Sequence, residues 1–227
     1  MKDSFPKLSV APHVHKTMKD IVLCELREGI LSGELEPEQE LNIKELCEKY
    51  NVSRTPIREA INYLESMGLV EVVNHKHVRV AKFLSDEAHE TYWLRASLSE
   101  LGCRLATKNM SQEEKQRLVD IVSESVVLLE NKDLDGFLEL NNVFHSTIAE
   151  QIKTSYIRNL GEHLYVITRR YRTLGVAARN EYQLIEEHAD IAKAIFDGDE
   201  EKAGYFGRIH YLNTIDFLQS ARSEKEK

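Results

Sequence analysis

SRTPIREAINYLESMGLVEVVNHKHVRVAK, residues 53–82, changes character once along its length, and that change decides the architecture around it. Up to about Ser66 the apolar residues Ile57, Ala60, Ile61 and Leu64 recur at the three-and-four spacing of one helix face. Ser53 is expected to cap this helix, Pro56 falls in its first turn where a missing N–H costs little, and Gly68 closes it. From Leu69 onward β-branched residues flank the polar run Asn74 to His77, which predicts a two-stranded hairpin.

Working upstream, IKELCEKY at residues 43–50 places Ile43, Leu46, Cys47 and Tyr50 on one helical face, with Asn42 as N-cap and Glu45 at the third helical position. Asn51 and Val52 leave only a tight connection to the next helix. Before them, Met18, Ile21, Val22, Leu26, Ile30 and Leu31 mark a helix that Gly33 ends. Helix, helix, short turn, helix and basic hairpin describe a winged helix-turn-helix over residues 13–82, whose third helix enters the major groove of DNA. Its outward face begins Arg54, Thr55 and Arg58 and continues to Asn62. An arginine fork can pair with guanine edges or phosphate, and a threonine with phosphate or a thymine methyl. On the wing, Lys76 and Arg79 are expected to meet phosphate. The competing reading makes Arg54 and Arg58 solvated charges paired with nearby acids.

Net charge argues against DNA only on average. The 227 residues carry −8, and residues 1–80 hold 11 Lys+Arg against 13 Asp+Glu. Two segments depart from that balance: residues 49–58 and 72–82 each hold three positive charges and no acid, so contact with phosphate must come through them. The longest unbroken apolar runs are four residues, far short of the roughly 20 a membrane span requires, and the first 16 residues lack the apolar core of a signal peptide. A cytoplasmic protein with no membrane partner is expected. Cys24, Cys47 and Cys103 form no CxxC pair, and buried free thiols are expected rather than a disulfide framework or thiolate zinc site.

Residues 85–220 show only helical patterning, opened by Ser85 and Asp86 as a cap. Leu94, Leu98, Leu101 and Leu105 mark one helix, and SQEE at residues 111–114 is a capping box for the next, whose face runs through Leu118, Ile121 and Val122. A bundle of about six helices follows. The fold class is therefore mostly α: an N-terminal winged helix-turn-helix with a small β-hairpin, followed by an all-α bundle.

Within that bundle, polar residues stand where core is expected. Asn141 and His145 lie on the stripe Leu134, Leu138, Ile148, Ile152; His188 lies between Leu184 and Ile191; His210 lies between Phe206 and Phe217. Burying an imidazole without a partner is costly, so the three histidines, if they converge, hold either hydrogen bonds or a divalent metal such as zinc, nickel or manganese. Acid–base catalysis is the weaker reading, since no nucleophile or paired carboxylate accompanies them.

ILSGELEPEQEL and ELCEKYNVSRTPIREAINYLESMGLVEV resemble the DNA-binding domain of the GntR family of bacterial transcription regulators. FxxxNNVFHSTIAE, EEHADIAKAIFDGDEEKA and His210 resemble the effector domain called FCD in that family's FadR branch, so the resemblance covers residues 13 to about 218. It implies operator contacts at Arg54, Thr55 and Arg58, a metal held by His145, His188 and His210, and a small carboxylate effector beside the metal. Two departures stand in the DNA-binding part: Glu40 where the family often has a basic residue, and Asn74 to His77 where it has a wing-tip glycine. In the effector part Asn141 occupies the position of a family Asp, and an amide oxygen is a weaker, neutral ligand. Arg95, in TYWLRASLSELG, matches an arginine the family uses near its effector; its guanidinium suits a carboxylate bidentately or an interhelical Glu. Tyr92, Arg169, Arg170 and Arg172 are further candidates for the same cavity, although RRYR equally suits a solvated basic face.

A ligand-responsive, homodimeric transcription regulator is thus expected, gripping double-stranded operator DNA and modulated by a small organic acid, and not an enzyme. Its rivals are a constitutive DNA-binding protein with a vestigial cavity and a metal-dependent enzyme built on the helical domain.

Overall fold

Asn42 shows how literally the short N-terminal helices follow their caps: its side chain accepts from the backbone N–H groups of Lys44 and Glu45, and α2 (Ile43–Tyr50) starts one residue later. A computed structural model of the chain describes residues 17–73, 77–82, 85–173 and 180–225, with side chains from 89 to 169 and from 180 to 215 in the C-terminal part. The chain divides into two compact units, the first containing Leu35–Ala81 and the residues before Leu31, the second Leu31–Glu34 and the residues from Lys82 onward.

In the first unit the part of α1 (Met18–Ser32) before Leu31 buries Val22, Leu26 and Ile30, and α3 (Arg54–Ser66) buries Ile57, Ala60, Ile61 and Leu64. Asn51 ends α2 in the left-handed region at φ 51°, which makes the α2–α3 turn tight. Ser53 occupies the N-cap position of α3 with extended backbone, yet its hydroxyl makes no capping hydrogen bond, contrary to expectation. Gly68 follows α3 at φ 67°, a conformation that costs glycine nothing. Strands β1 (Val70–Val73) and β2 (His77–Val80) pair antiparallel with Val70 opposite Val80 and Glu71 opposite Arg79. Residues 38–41 bond to β2 in turn, through Leu41 N–H to Val78 O and Val80 N–H to Gln39 O. Lys76, the wing-tip candidate, lies outside the described residues.

The second unit contains, among the described residues, α4 (Ser85–Asn109), α5 (Gln112–Glu130), α6 (Leu134–Ala149), α7 (Ser155–Thr173), α8 (Glu181–Phe196) and α9 (Glu200–Lys225). The capping box at Ser111 and Glu114 has both halves in place, whereas the Ser85–Asp86 cap falls on side chains outside the described residues. α9 lies along α4, α8 packs on α5 and α9, and α7 on α4. The core joins Cys103, Ala106, Leu118, Ile121, Phe144, Ile148, Ile191 and Ile195, each large side chain contributing about 1.5–3 kcal/mol by burial.

Two apolar stripes differ from expectation. On α4 the inward residues besides Tyr92 include the small Ala96, Cys103 and Ala106, because α9 comes so close that a Cβ on Gly207 would stand 2.5 Å from Cys103 Sγ. Leu94 and Leu101 stay exposed at 44% and 37%. On α6 the core face is Phe137, Asn141, Phe144 and Ile148, and Leu134 and Leu138 face outward. None of the described helices is long and apolar enough to cross a membrane.

Candidate functional site

On the first unit, the opening of α3 presents Arg54, Thr55 and Arg58 to solvent, while the face behind them is locked by Ile57, Ala60 and Ile61. Neither arginine makes an ion pair among the described residues. Arg54 borders a shallow cleft with Lys44 and Ser53, which brings in Lys44, a basic residue of α2 not singled out by its sequence. Arg79, in contrast, is engaged: its Nε and Nη2 donate to Glu71 Oε2 at 2.9 and 2.7 Å across the hairpin. Beside it His77 Nδ1 and Glu40 Oε1 lie 2.8 Å apart. The side of the wing carrying Arg79 and His77 is therefore partly neutralised by its own carboxylates.

On the second unit, the three histidines of α6, α8 and α9 do converge. His145, His188 and His210 each bring a ring nitrogen within 4.8 Å of the others, with ring centroids 4.8 to 5.1 Å apart. Phe144 stacks on His188 at 4.4 Å and holds that ring in place from the core side. His210 Nδ1 faces Glu187 Oε2 at 2.8 Å, and the hydroxyl of Tyr211 lies 3.4 Å from His145 Nδ1. Asn141, 5% exposed, lines the same cavity as His145 and His210.

The residues present fit a divalent metal by donor chemistry. Three imidazole nitrogens within 4.8 Å of one another are a usual nitrogen set for zinc and its neighbours. Asn141 Oδ1 is a candidate fourth donor without charge.

The cavity beside the cluster has a volume of about 50 Å³ and is walled by Tyr92, Arg95, Tyr165, Thr168, Tyr211 and Thr214 together with His145 and His210. Arg95 donates to Thr168 Oγ1, and its guanidinium carbon lies 4.7 Å from the ring centre of Tyr211 and 5.1 Å from that of Tyr165. No described carboxylate pairs with it, so the interhelical Glu that would compete for the fork is not there among the described residues. The Tyr92 hydroxyl donates to Thr168 O at 3.4 Å and the Tyr165 hydroxyl to Asn142 Oδ1 at 2.7 Å. Arg170 and Arg172 have side chains outside the described residues. Thr168, Tyr165 and Tyr211 escape sequence reading because Thr and Tyr at core-facing positions carry no signal until the fold puts them beside a guanidinium.

Comparison with known proteins follows the same division. The family described as bacterial regulatory proteins, gntR family, matches residues 19–80, and the FCD domain matches residues 90–213. Similar proteins include the transcriptional repressor GlaR of Escherichia coli, 25% identical over 86% of this chain and 93% of the relative, and the regulator YdhC of Bacillus subtilis, 24% identical over 88% and 90%. In fold, the chain is similar to Escherichia coli McbR/YncC, with a TM-score of 0.74, 20% identity and coverage of 91% and 99%. A gntR-family DNA-binding domain followed by an FCD domain makes this chain a member of the GntR family, FadR branch, and a ligand-responsive DNA-binding transcription regulator.

Proposed function

We propose that the regulator acts in the cytoplasm as a homodimer on an operator, reads it through Arg54, Thr55 and Arg58, and responds to a small organic acid held by Arg95 next to a divalent metal. Arg95 carries this reading: a half-buried guanidinium with no described carboxylate faces a cavity lined by His145 and His210, two of the three clustered histidines. The residues that would hold the metal are His145, His188 and His210, with Asn141 as the neutral fourth donor. When bound, a divalent ion would supply positive charge and an open position for a carboxylate oxygen.

The lining of the cavity is drawn from several helices, with Leu184 of α8 among it. Arg95 and Tyr92 come from α4, His145 and Asn141 from α6, Thr168 and Tyr165 from α7, and His210, Tyr211 and Thr214 from α9. An acid that bridges Arg95 to the histidine side favours the arrangement in which these helices are drawn together. It can shift the regulator between DNA-binding states only by binding one of them better. The volume of about 50 Å³ favours a ligand of few heavy atoms.

Two-fold symmetry suits a regulator whose single half-site reader gains limited specificity, and the outward Leu94 and Leu101 of α4 supply apolar surface for a second copy.

A melting screen of small carboxylic acids, run with and without zinc, nickel or manganese, tests the proposal. At a hundredfold excess over Kd an effector adds about 2.7 kcal/mol to the native state, and Arg95→Ala removes that gain. An acid that still stabilises Arg95→Ala to the wild-type extent takes Arg95 out of the site. A screen with no responsive acid favours the constitutive reading.

A further inference from the structure

We infer that Glu187 is the positioning residue of the histidine cluster: held by Asn213, it fixes His210 in the Nδ1–H form and so turns the lone pair of Nε2 to metal binding. The inference rests on the metal reading above and adds to it a residue that contacts no ligand.

A carboxylate can only accept, so the 2.8 Å contact between His210 Nδ1 and Glu187 Oε2 requires the hydrogen on Nδ1. Neutral imidazole carries one N–H, which leaves Nε2 as the lone-pair nitrogen. Glu187 is itself fixed, because Asn213 Nδ2 donates to its other oxygen at 2.7 Å. Asn213 and His210 lie three residues apart on α9, so a single carboxylate from α8 is gripped at two points on one face. Burial makes this arrangement consequential: His210 is 5% and Glu187 15% exposed by side chain, so water competes weakly for either group.

Charge gives Glu187 a second task. Three imidazoles and the amide of Asn141 contribute no negative charge to a divalent ion, and Glu187 is a carboxylate that the structure joins to this donor set by a hydrogen bond. Through the imidazole it raises the basicity of Nε2, as carboxylate partners of metal-bound histidines do.

Two substitutions in the full-length protein separate the two tasks. Glu187→Gln keeps an amide oxygen for Nδ1–H and loses the charge; Glu187→Leu loses both. Nitrogen NMR of histidine-labelled protein without metal, with His210→Gln to assign the ring, reads the tautomer directly, and zinc titration reads the affinity. The expected result is one Nδ1–H tautomer in wild type and Glu187→Gln, mixed tautomers in Glu187→Leu, and zinc affinity lowered roughly ten- to a hundredfold in Glu187→Leu, less in Glu187→Gln. An unchanged tautomer in Glu187→Leu overturns the inference, as does wild-type zinc affinity in that variant. Wild type that binds no zinc refutes the metal reading instead, and the tautomer comparison still decides the role of Glu187.

Discussion

Freeing Arg79 from Glu71 should change how the protein responds to salt more than how it chooses its operator. In the hairpin the Arg79 guanidinium gives two hydrogen bonds to one carboxylate oxygen, and both side chains are about two-fifths exposed. An exposed pair of this kind is worth about 0.2–1 kcal/mol, a cost Arg79 meets before it can serve a phosphate. In Glu71→Gln that competition falls away. If Arg79 then reaches one phosphate, the slope of log affinity against log salt steepens by about 0.9, which is roughly a threefold extra loss of affinity for each fourfold rise in salt. Arg79→Ala in the wild-type background should flatten the slope by much less, and the double variant Glu71→Gln/Arg79→Ala should restore the wild-type slope. Arg54→Ala and Arg58→Ala serve as contrast: each should cost about 1–3 kcal/mol on the operator and narrow its advantage over unrelated DNA. Fluorescence anisotropy titrations of operator and unrelated duplexes at several salt concentrations measure both quantities. An unchanged slope in Glu71→Gln together with a flattening of about 0.9 in Arg79→Ala would refute the reasoning, because Arg79 would then already sit on phosphate despite its carboxylate.

Asn141→Asp should bind zinc more tightly than wild type and show weaker mutual enhancement between metal and acid, since its own carboxylate supplies charge that the effector otherwise brings; paired calorimetric titrations that give equal coupling in both proteins reject that argument. Leu94→Glu with Leu101→Glu should convert the proposed dimer to a monomer in light scattering, and wild type that already runs at 26.2 kDa refutes the proposed dimer. Burial pushes the Cys103 thiol from 9.0 up to about 12, outweighing a hydrogen bond with Ser99. The folded protein therefore keeps the thiol protonated where the unfolded chain ionises: this contribution is intact below pH 9.0 and is lost as the pH rises towards about 12. Unfolding titrations of wild type against Cys103→Ala across that interval should show the stability difference falling with pH, and a flat difference counts against a dry site.

The winged unit was legible because its signals are local. Asn42 caps α2, Asn51 and Gly68 mark the breaks, and four residues of α3 repeat on one face, so each element is specified by residues within a few positions of itself. In the bundle the same reasoning found the helices and missed which way two of them face. Leucines at 94, 98, 101 and 105 outweigh Ala96, Cys103 and Ala106 in hydropathy, yet the small residues lie inside because Gly207 of α9 lets the α4 backbone approach at Ser99 and Cys103. Close packing of small residues leaves no apolar peak for a pattern to register. The histidines were legible for the opposite reason: a polar ring at an apolar period is an anomaly that demands a partner, and Asn141 shared that anomaly one turn before His145. Their partners were not. Glu187 precedes His188 on a helix with several surface acids, and nothing within α8 distinguishes it from Glu186, which is exposed. Only the approach of α9, which sets His210 and Asn213 on either oxygen of one carboxylate, separates the two, and that approach is a property of the packed bundle rather than of any stretch of sequence.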